Sequence, residues 1–171
     1  NIDLVRDYDT LSQRQSFIRE EPTKYQAISK VLKQLVGGCF TTVNKQVMYQ
    51  PAKEGKREAA QLPVYIASSS VKSLFLFDYY LNCLALPGDI LIIDEPELNL
   101  HPDKQRLLAS LLARLVNAGI KVLCTTHSDF LVKEINNRIM LSRLDWQKQN
   151  KLVDRGLVQE DILQPKQVSA Y

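Results

Sequence analysis

The chain has 171 residues, the length of one ordinary domain, and its 45% apolar and 24% charged content is that of a globular protein with a core of its own. A net charge of +3 is too small to imply nucleic acid without a concentrated basic stripe. The longest apolar run is bracketed by Asp78 and Asp89 and is too short to span a bilayer, and no signal-peptide pattern opens the chain, so a cytoplasmic protein without a membrane partner is expected.

The chain opens at Asn1, in polar, helix-like sequence with no initiator methionine, and reads as a piece of something longer. Leu11 to Leu35 reads as helix: Ile28, Val31, Leu32 and Leu35 recur at helical spacing, Pro22 suits a first turn, and Gly37-Gly38 stops the run. Cys39 to Tyr49 alternates in the manner of one or two strands, and a polar turn from Pro51 to Gln61 leads to a short strand over Leu62–Ala67. Ser68-Ser69-Ser70 offers caps to a helix from Val71 to Leu86, apolar almost all round and expected to be largely buried, which Pro87-Gly88 ends. Asp89 to Asp94 is a short apolar run typical of a central parallel strand. Pro102 opens a helix with the stripe Leu107, Leu108, Leu111, Leu112, Leu115 and Val116, and Ile120 to Thr126 is a second apolar strand, so the segment is a βαβ unit. Phe130–Asn136 and Ile139–Trp146 read as further helical turns, and the amphipathic tail from Gly156 ends near a possible strand at Val168. Cys39, Cys83 and Cys124 show no metal-ligand spacing; the last two sit in apolar runs and read as buried, reduced thiols.

Two carboxylates, Asp94 and Glu95, stand at the carboxyl end of the first parallel strand, the edge at which open α/β sheets bind ligands. Nucleotide hydrolysis asks for two acidic roles there: one group holds Mg²⁺, directly or through water, and the other orients and deprotonates the attacking water. Taken alone, the pair also reads as an ordinary strand-to-loop junction with solvated acids. His127, at the end of the second strand, stands where an imidazole can reach a γ-phosphate, or where it simply caps the next helix. The serine triplet is either an anion site built from amides, helix dipole and hydroxyls, or a plain N-cap. No G-x-x-x-x-G-K-[ST] occurs anywhere: Gly55-Lys56 has Gln50 where the first glycine belongs, and Gly37-Gly38 is followed by Cys39-Phe40.

The run Asp94-Glu95-Pro96-Glu97-Leu98-Asn99-Leu100-His101-Pro102 resembles the Walker B and D-loop segment of ABC-type ATPases, and is most similar to the SMC-like and overcoming-lysogenization-defect-like branch, where "IDEPE-x-x-LHP" recurs. Thr125-Thr126-His127-Ser128 resembles the switch-histidine motif of the same ATPases, and Ala67 to Leu74 lines up with their "LSGGEK" signature. Ser69 and Ser70 replace both signature glycines, as in serine-rich variants of that branch, and Val71 replaces the usual acid or amide. The resemblance spans residues 62–137. It implies an α/β fold of the P-loop NTPase class: an ABC-type C-terminal lobe with a parallel core (strands near 89–94 and 120–126), a small β meander and a helical arm remnant. The expected domains are 1–36 as arm and 37–171 as lobe, with the Walker A lobe missing.

By the same resemblance, Asp94 is the Mg²⁺-associated acid, Glu95 the general base and His127 the γ-phosphate switch. Ser68, Ser69 and Ser70 hold the γ-phosphate bound to the opposite protomer, and Asn99 reaches across the dimer interface. The implied cofactors are ATP and Mg²⁺, the implied partner a second copy in a nucleotide sandwich, and the implied setting bacterial DNA repair or antiphage defence, with DNA and a partner nuclease as further partners. ATP hydrolysis is expected of the full-length protein and little activity of this chain alone. An ATP-gated regulatory clamp that recruits a nuclease, with slow turnover, is the other reading.

Overall fold

The computed structural model describes residues 14–44, 46–52, 60–145 and 158–170, in two compact units that divide between Leu86 and Pro87. The 36/37 arm boundary falls inside the first unit.

In the first unit the expected long helix is two helices, α1 (Phe17–Glu20) and α2 (Gln26–Val36), separated by a turn. Pro22 is the physical reason. It has no N–H to give a helix interior and biases the residue before it away from helical geometry, so it ends the first helix instead of opening the second. Leu11–Gln13 lie outside the described residues. Ser16 caps α1 and sends its hydroxyl to the Leu81 carbonyl at 2.6 Å. Helix α2 buries Ile28, Val31, Leu32, Leu35 and Val36 on one face and ends at Gly37, which takes φ 67°.

Strands β1 (Gly38–Val43) and β2 (Gln46–Pro51) pair antiparallel, and β3 (Leu62–Pro63) adds to β2. A Cβ at Gly38 would fall on the Gln50 carbonyl oxygen, so only glycine lets the helix feed directly into this hairpin. Tyr49 closes the junction from the other side, its hydroxyl 3.0 Å from the Val36 carbonyl. The strand expected over Leu62–Ala67 is shorter, because Pro63 cannot donate to a ladder and the chain turns into a 3-10 turn at Val64–Ile66. Residues 53–59 of the polar turn lie outside the described residues.

Ser68 caps α3 (Ser69–Tyr79), which runs on into one π-turn, Tyr80–Leu84. Leu74, Phe75, Phe77 and Leu81 are buried but Leu76 is 53% exposed, so the helix is covered on one side and not all round. Phe75 reaches the hairpin, its ring 5.2 Å from that of Phe40.

Asp78, on the covered side, lines a cavity of about 1090 Å³ with Arg19, Lys33, Asn82 and Cys83. Burial pushes its carboxyl up to about 6 from an ordinary 3.8, against the pull of the Asn82 amide and the Arg19 guanidinium. Because the folded-state value is raised, this acid favours the fold while protonated, and the benefit is lost as pH rises from about 4 through about 6. Asp78→Asn is therefore expected to raise unfolding free energy at pH 7.5 by about 1–3 kcal/mol. Urea titrations at pH 7.5 and 4.5 should show that gain shrinking at the lower pH.

The second unit is the βαβ segment. Strand β4 (Ile90–Ile93) pairs parallel with β5 (Lys121–Cys124), in the register Ile93 to Cys124, and helix α4 (Pro102–Asn117) connects them. Helix α4 buries Leu108, Leu111, Leu112 and Leu115. The two turns expected after His127 are a single helix, α5 (Asp129–Leu141), that packs on α4; Trp146 lies outside the described residues. Nothing between Asn136 and Ile139 breaks it, since Arg138 bonds Glu134 one turn back at 2.9 Å.

The described tail forms 3-10 turns at Gln159–Asp161 and Pro165–Gln167 and no strand at Val168, while Gly156 and Leu157 lie outside the described residues. Asp161 holds this tail to α4, accepting from Arg114 Nε at 2.7 Å and Nη2 at 3.0 Å with both side chains buried. The apolar runs expected to form central strands are only partly covered: Ile90, Ile92 and Leu123 are 64%, 72% and 56% exposed, while Leu91, Ile93, Val122 and Cys124 on the opposite face are half-buried. Among the described residues no helix is long and apolar enough to cross a membrane.

Candidate functional site

The parallel register that pairs Ile93 with Cys124 places Asp94 and Thr125 side by side at the carboxyl edge. The Thr125 hydroxyl donates to Asp94 Oδ1, and its oxygen accepts the Glu95 N–H at 3.1 Å. One threonine thus sets both acidic residues. Glu95 is not extended: it takes φ 43°, a left-handed conformation that is uncommon for a residue with a side chain and costs backbone energy. The turn brings its Oε1 within 3.2 Å of His127 Nε2. The imidazole is 90% exposed, so this pair lies open to whatever binds at the sheet edge.

His127 does not cap the helix that follows. That task falls to Ser128, whose Oγ accepts the Leu131 N–H at 3.2 Å. His101 does cap α4, its Nδ1 accepting the Asp103 N–H at 3.3 Å. The same nitrogen stands 3.4 Å from Asp103 Oδ2, but a protonated nitrogen cannot accept the amide, so the cap belongs to the neutral imidazole.

Two tight turns follow Glu95, with Leu98 N–H returning to the Glu95 carbonyl and Leu100 N–H to that of Glu97. They leave Asn99 exposed at φ 62°, a conformation asparagine tolerates better than most residues, while Leu100 is buried. Beneath the exposed pair lies Glu97, 7% exposed, whose Oε1 accepts from the Thr126 hydroxyl and from the His127 N–H at 3.3 Å. Glu97 and Thr125 are the residues that sequence reasoning missed. The strand register alone would have found Thr125; nothing in the spacing marks Glu97 as buried.

Ser68, Ser69 and Ser70 belong to the first unit. Ser68 Oγ accepts the Val71 N–H at 3.4 Å and lies 2.9 Å from Ser70 Oγ, and Ser69 opens the first turn of α3. Ser69 and Ser70 therefore sit in ordinary right-handed helix, where a Cβ costs nothing.

Among the described residues no group of three His, Cys, Asp or Glu side chains could cage a metal ion. Burial raises the Cys124 thiol, helped by the Glu97 charge, and burial likewise raises that of Cys83, so neither is a nucleophile in waiting. All three cysteines are free.

Comparison with known proteins adds three findings. The chain is similar to the arginine transport ATP-binding protein ArtM of Bacillus subtilis (strain 168), 25% identical over 142 residues covering 73% of the chain. It spans 57% of the length of that relative. Among solved structures, one described as "Structural biochemistry of ATP-driven dimerization and DNA stimulated activation of SMC ATPases" matches 69% of this chain and 75% of its own, at 15% identity and a TM-score of 0.46. The family described as "AAA domain, putative AbiEii toxin, Type IV TA system" matches residues 6–133. That match takes in β4, its acidic pair, the crossover helix and the histidine after β5, and the chain belongs to this AAA domain family.

Proposed function

We propose that this chain is the water-activating half of an ATPase site of the SMC-like, overcoming-lysogenization-defect-like kind. The observation that carries the reading is the cluster at the carboxyl edge of β4 and β5: Asp94 oriented by Thr125, and Glu95 turned to lie 3.2 Å from His127. In it Asp94 would hold the Mg²⁺ that accompanies ATP, and the bound ion would supply positive charge beside the phosphates. Glu95 accepts the proton of the attacking water, and His127 meets the γ-phosphate by a charge-assisted hydrogen bond while holding the Glu95 carboxylate in place. Similarity to a relative named as an ATP-binding protein supports the same nucleotide.

The phosphate cradle and its lysine are absent from this sequence, so in this reading they come from elsewhere in the full-length protein. ATP would lie between two copies, with Ser68–Ser70 and Asn99 of one facing the nucleotide of the other, and hydrolysis would release the pair. DNA repair or antiphage defence, with DNA or a nuclease as the coupled partner, is the setting proposed for that cycle. The serines in place of both signature glycines favour a second reading, a slow ATP-gated clamp in which recruitment of an effector, and not turnover, is the output.

Full-length protein should release phosphate from ATP only with Mg²⁺ present. His127→Ala should lower kcat roughly 10- to 100-fold, the kinetic equivalent of one hydrogen bond to a charged group. Full-length protein that neither binds nor hydrolyses ATP sinks both readings; binding with negligible turnover selects the clamp.

A further inference from the structure

Glu97 is a buried acid whose second oxygen, Oε2, has no hydrogen-bond partner among the described residues, and among them both donors to its Oε1 come from one loop: the Thr126 hydroxyl and the His127 N–H. Stability alone does not ask for such a residue. An apolar side chain of similar volume would fill the space without the cost of burying a carboxylate.

The hydrogen bonds do not stop at Glu97. Thr126 Oγ1 accepts the Ser128 N–H at 3.0 Å, and Ser128 Oγ donates to Gln105 Oε1 at 2.7 Å. Gln105 Nε2 then donates to the Leu100 carbonyl at 3.0 Å, returning to the turn that begins at Glu97. The loop after β4 and the loop after β5 are thereby joined by hydrogen bonds through Gln105, and the ring closes through the backbone bond from Leu100 N–H to the Glu97 carbonyl. Glu97 also accepts the N–H of His127, the residue between the ring's Thr126 and Ser128.

We propose that Glu97 is a positioning residue: by accepting from Thr126 and from the His127 backbone it fixes the loop that aims His127 at Glu95 and the γ-phosphate. The inference rests on the ATPase reading of the site. Glu97 touches neither nucleotide nor water in it, and acts only through the 125–128 loop. Its removal should therefore lower the rate of the bound complex and leave nucleotide affinity in place.

The test compares Glu97→Leu and Glu97→Gln in full-length protein whose wild-type form has first been shown to hydrolyse ATP; absence of that activity counts against the ATPase reading and not against Glu97. Glu97→Leu fills the space and accepts nothing; it should lower kcat about tenfold or more with KM for ATP within about twofold. Glu97→Gln keeps an acceptor for both donors and should return kcat to within about threefold of wild type. Wild-type kcat in Glu97→Leu, or a Gln variant no faster than the Leu variant, overturns the proposal. Should Glu97→Leu not fold, Thr126→Val removes the hydroxyl donor at nearly constant shape. It should lower kcat at unchanged KM, and an unchanged kcat there overturns the proposal equally.

Discussion

Glu95→Gln in the full-length protein is expected to lower kcat roughly 10²- to 10⁴-fold, the range set by loss of a general base, while ATP-bound dimers accumulate. The size follows from what the substitution leaves alone. Glutamine has the shape of glutamate and sits no worse at φ 43°, so the turn after β4 is kept. The Thr125 bonds to Asp94 and to the residue-95 amide involve no atom of the changed carboxylate, so Asp94, the acid proposed to hold Mg²⁺, stays oriented. His127 still finds an acceptor 3.2 Å away. Only the capacity to take a proton from water is lost. Phosphate-release kinetics measure the first effect, and size-exclusion chromatography with ATP measures the second. Unchanged turnover removes Glu95 from the base role.

The second large effect is on stability. Asp161→Ala is expected to destabilise the fold by about 3–5 kcal/mol at neutral pH, because it leaves a guanidinium buried without its carboxylate. Arg114 is 8% exposed and Asp161 2%, so water cannot replace the lost partner at little cost. Asp161 Oδ2 also accepts the Val158 N–H at 3.0 Å, and that bond goes as well. The double variant Arg114→Met, Asp161→Leu should recover most of the loss, since no charge is then stranded. Urea unfolding of the two variants reads the difference; a single variant within about 0.5 kcal/mol of wild type, the range of an ordinary surface change, would show that the pair is not buried as described.

The acidic pair, the crossover helix and the histidine were legible because each follows from local chemistry or from a period. Apolar runs mark strands, a leucine stripe at helical spacing marks α4, and a proline after His101 marks where α4 starts. The left-handed turn at Glu95 was not legible: its N–H meets the Thr125 hydroxyl, a partner just past the end of β5 and far away in sequence. Glu97 was hidden for the same reason, since a charged residue in a polar loop looks solvated until the 125–128 loop is laid over it. Pro22 misled because a proline serves the first turn of one helix as readily as the end of another, and only the path of the chain decides. The apolar run at β4 misled in a different way. Strand hydrophobicity records what a face is suited to meet, whereas exposure records what meets it among the described residues.

That uncovered face has a consequence for how the chain behaves while it folds. Because β4 and β5 pair in parallel across α4, their pairing needs a non-local closure that a hairpin does not. Even when paired, they form a sheet of two strands among the described residues, each with an open edge next to Ile90, Ile92 and Leu123. Such a strip invites strand addition from a second chain. The charges at its ends are placed to discourage that: Asp89 and Asp94 bracket β4, and Lys121 opens β5. Charges in such positions beside an apolar strand lower its tendency to pair with other chains.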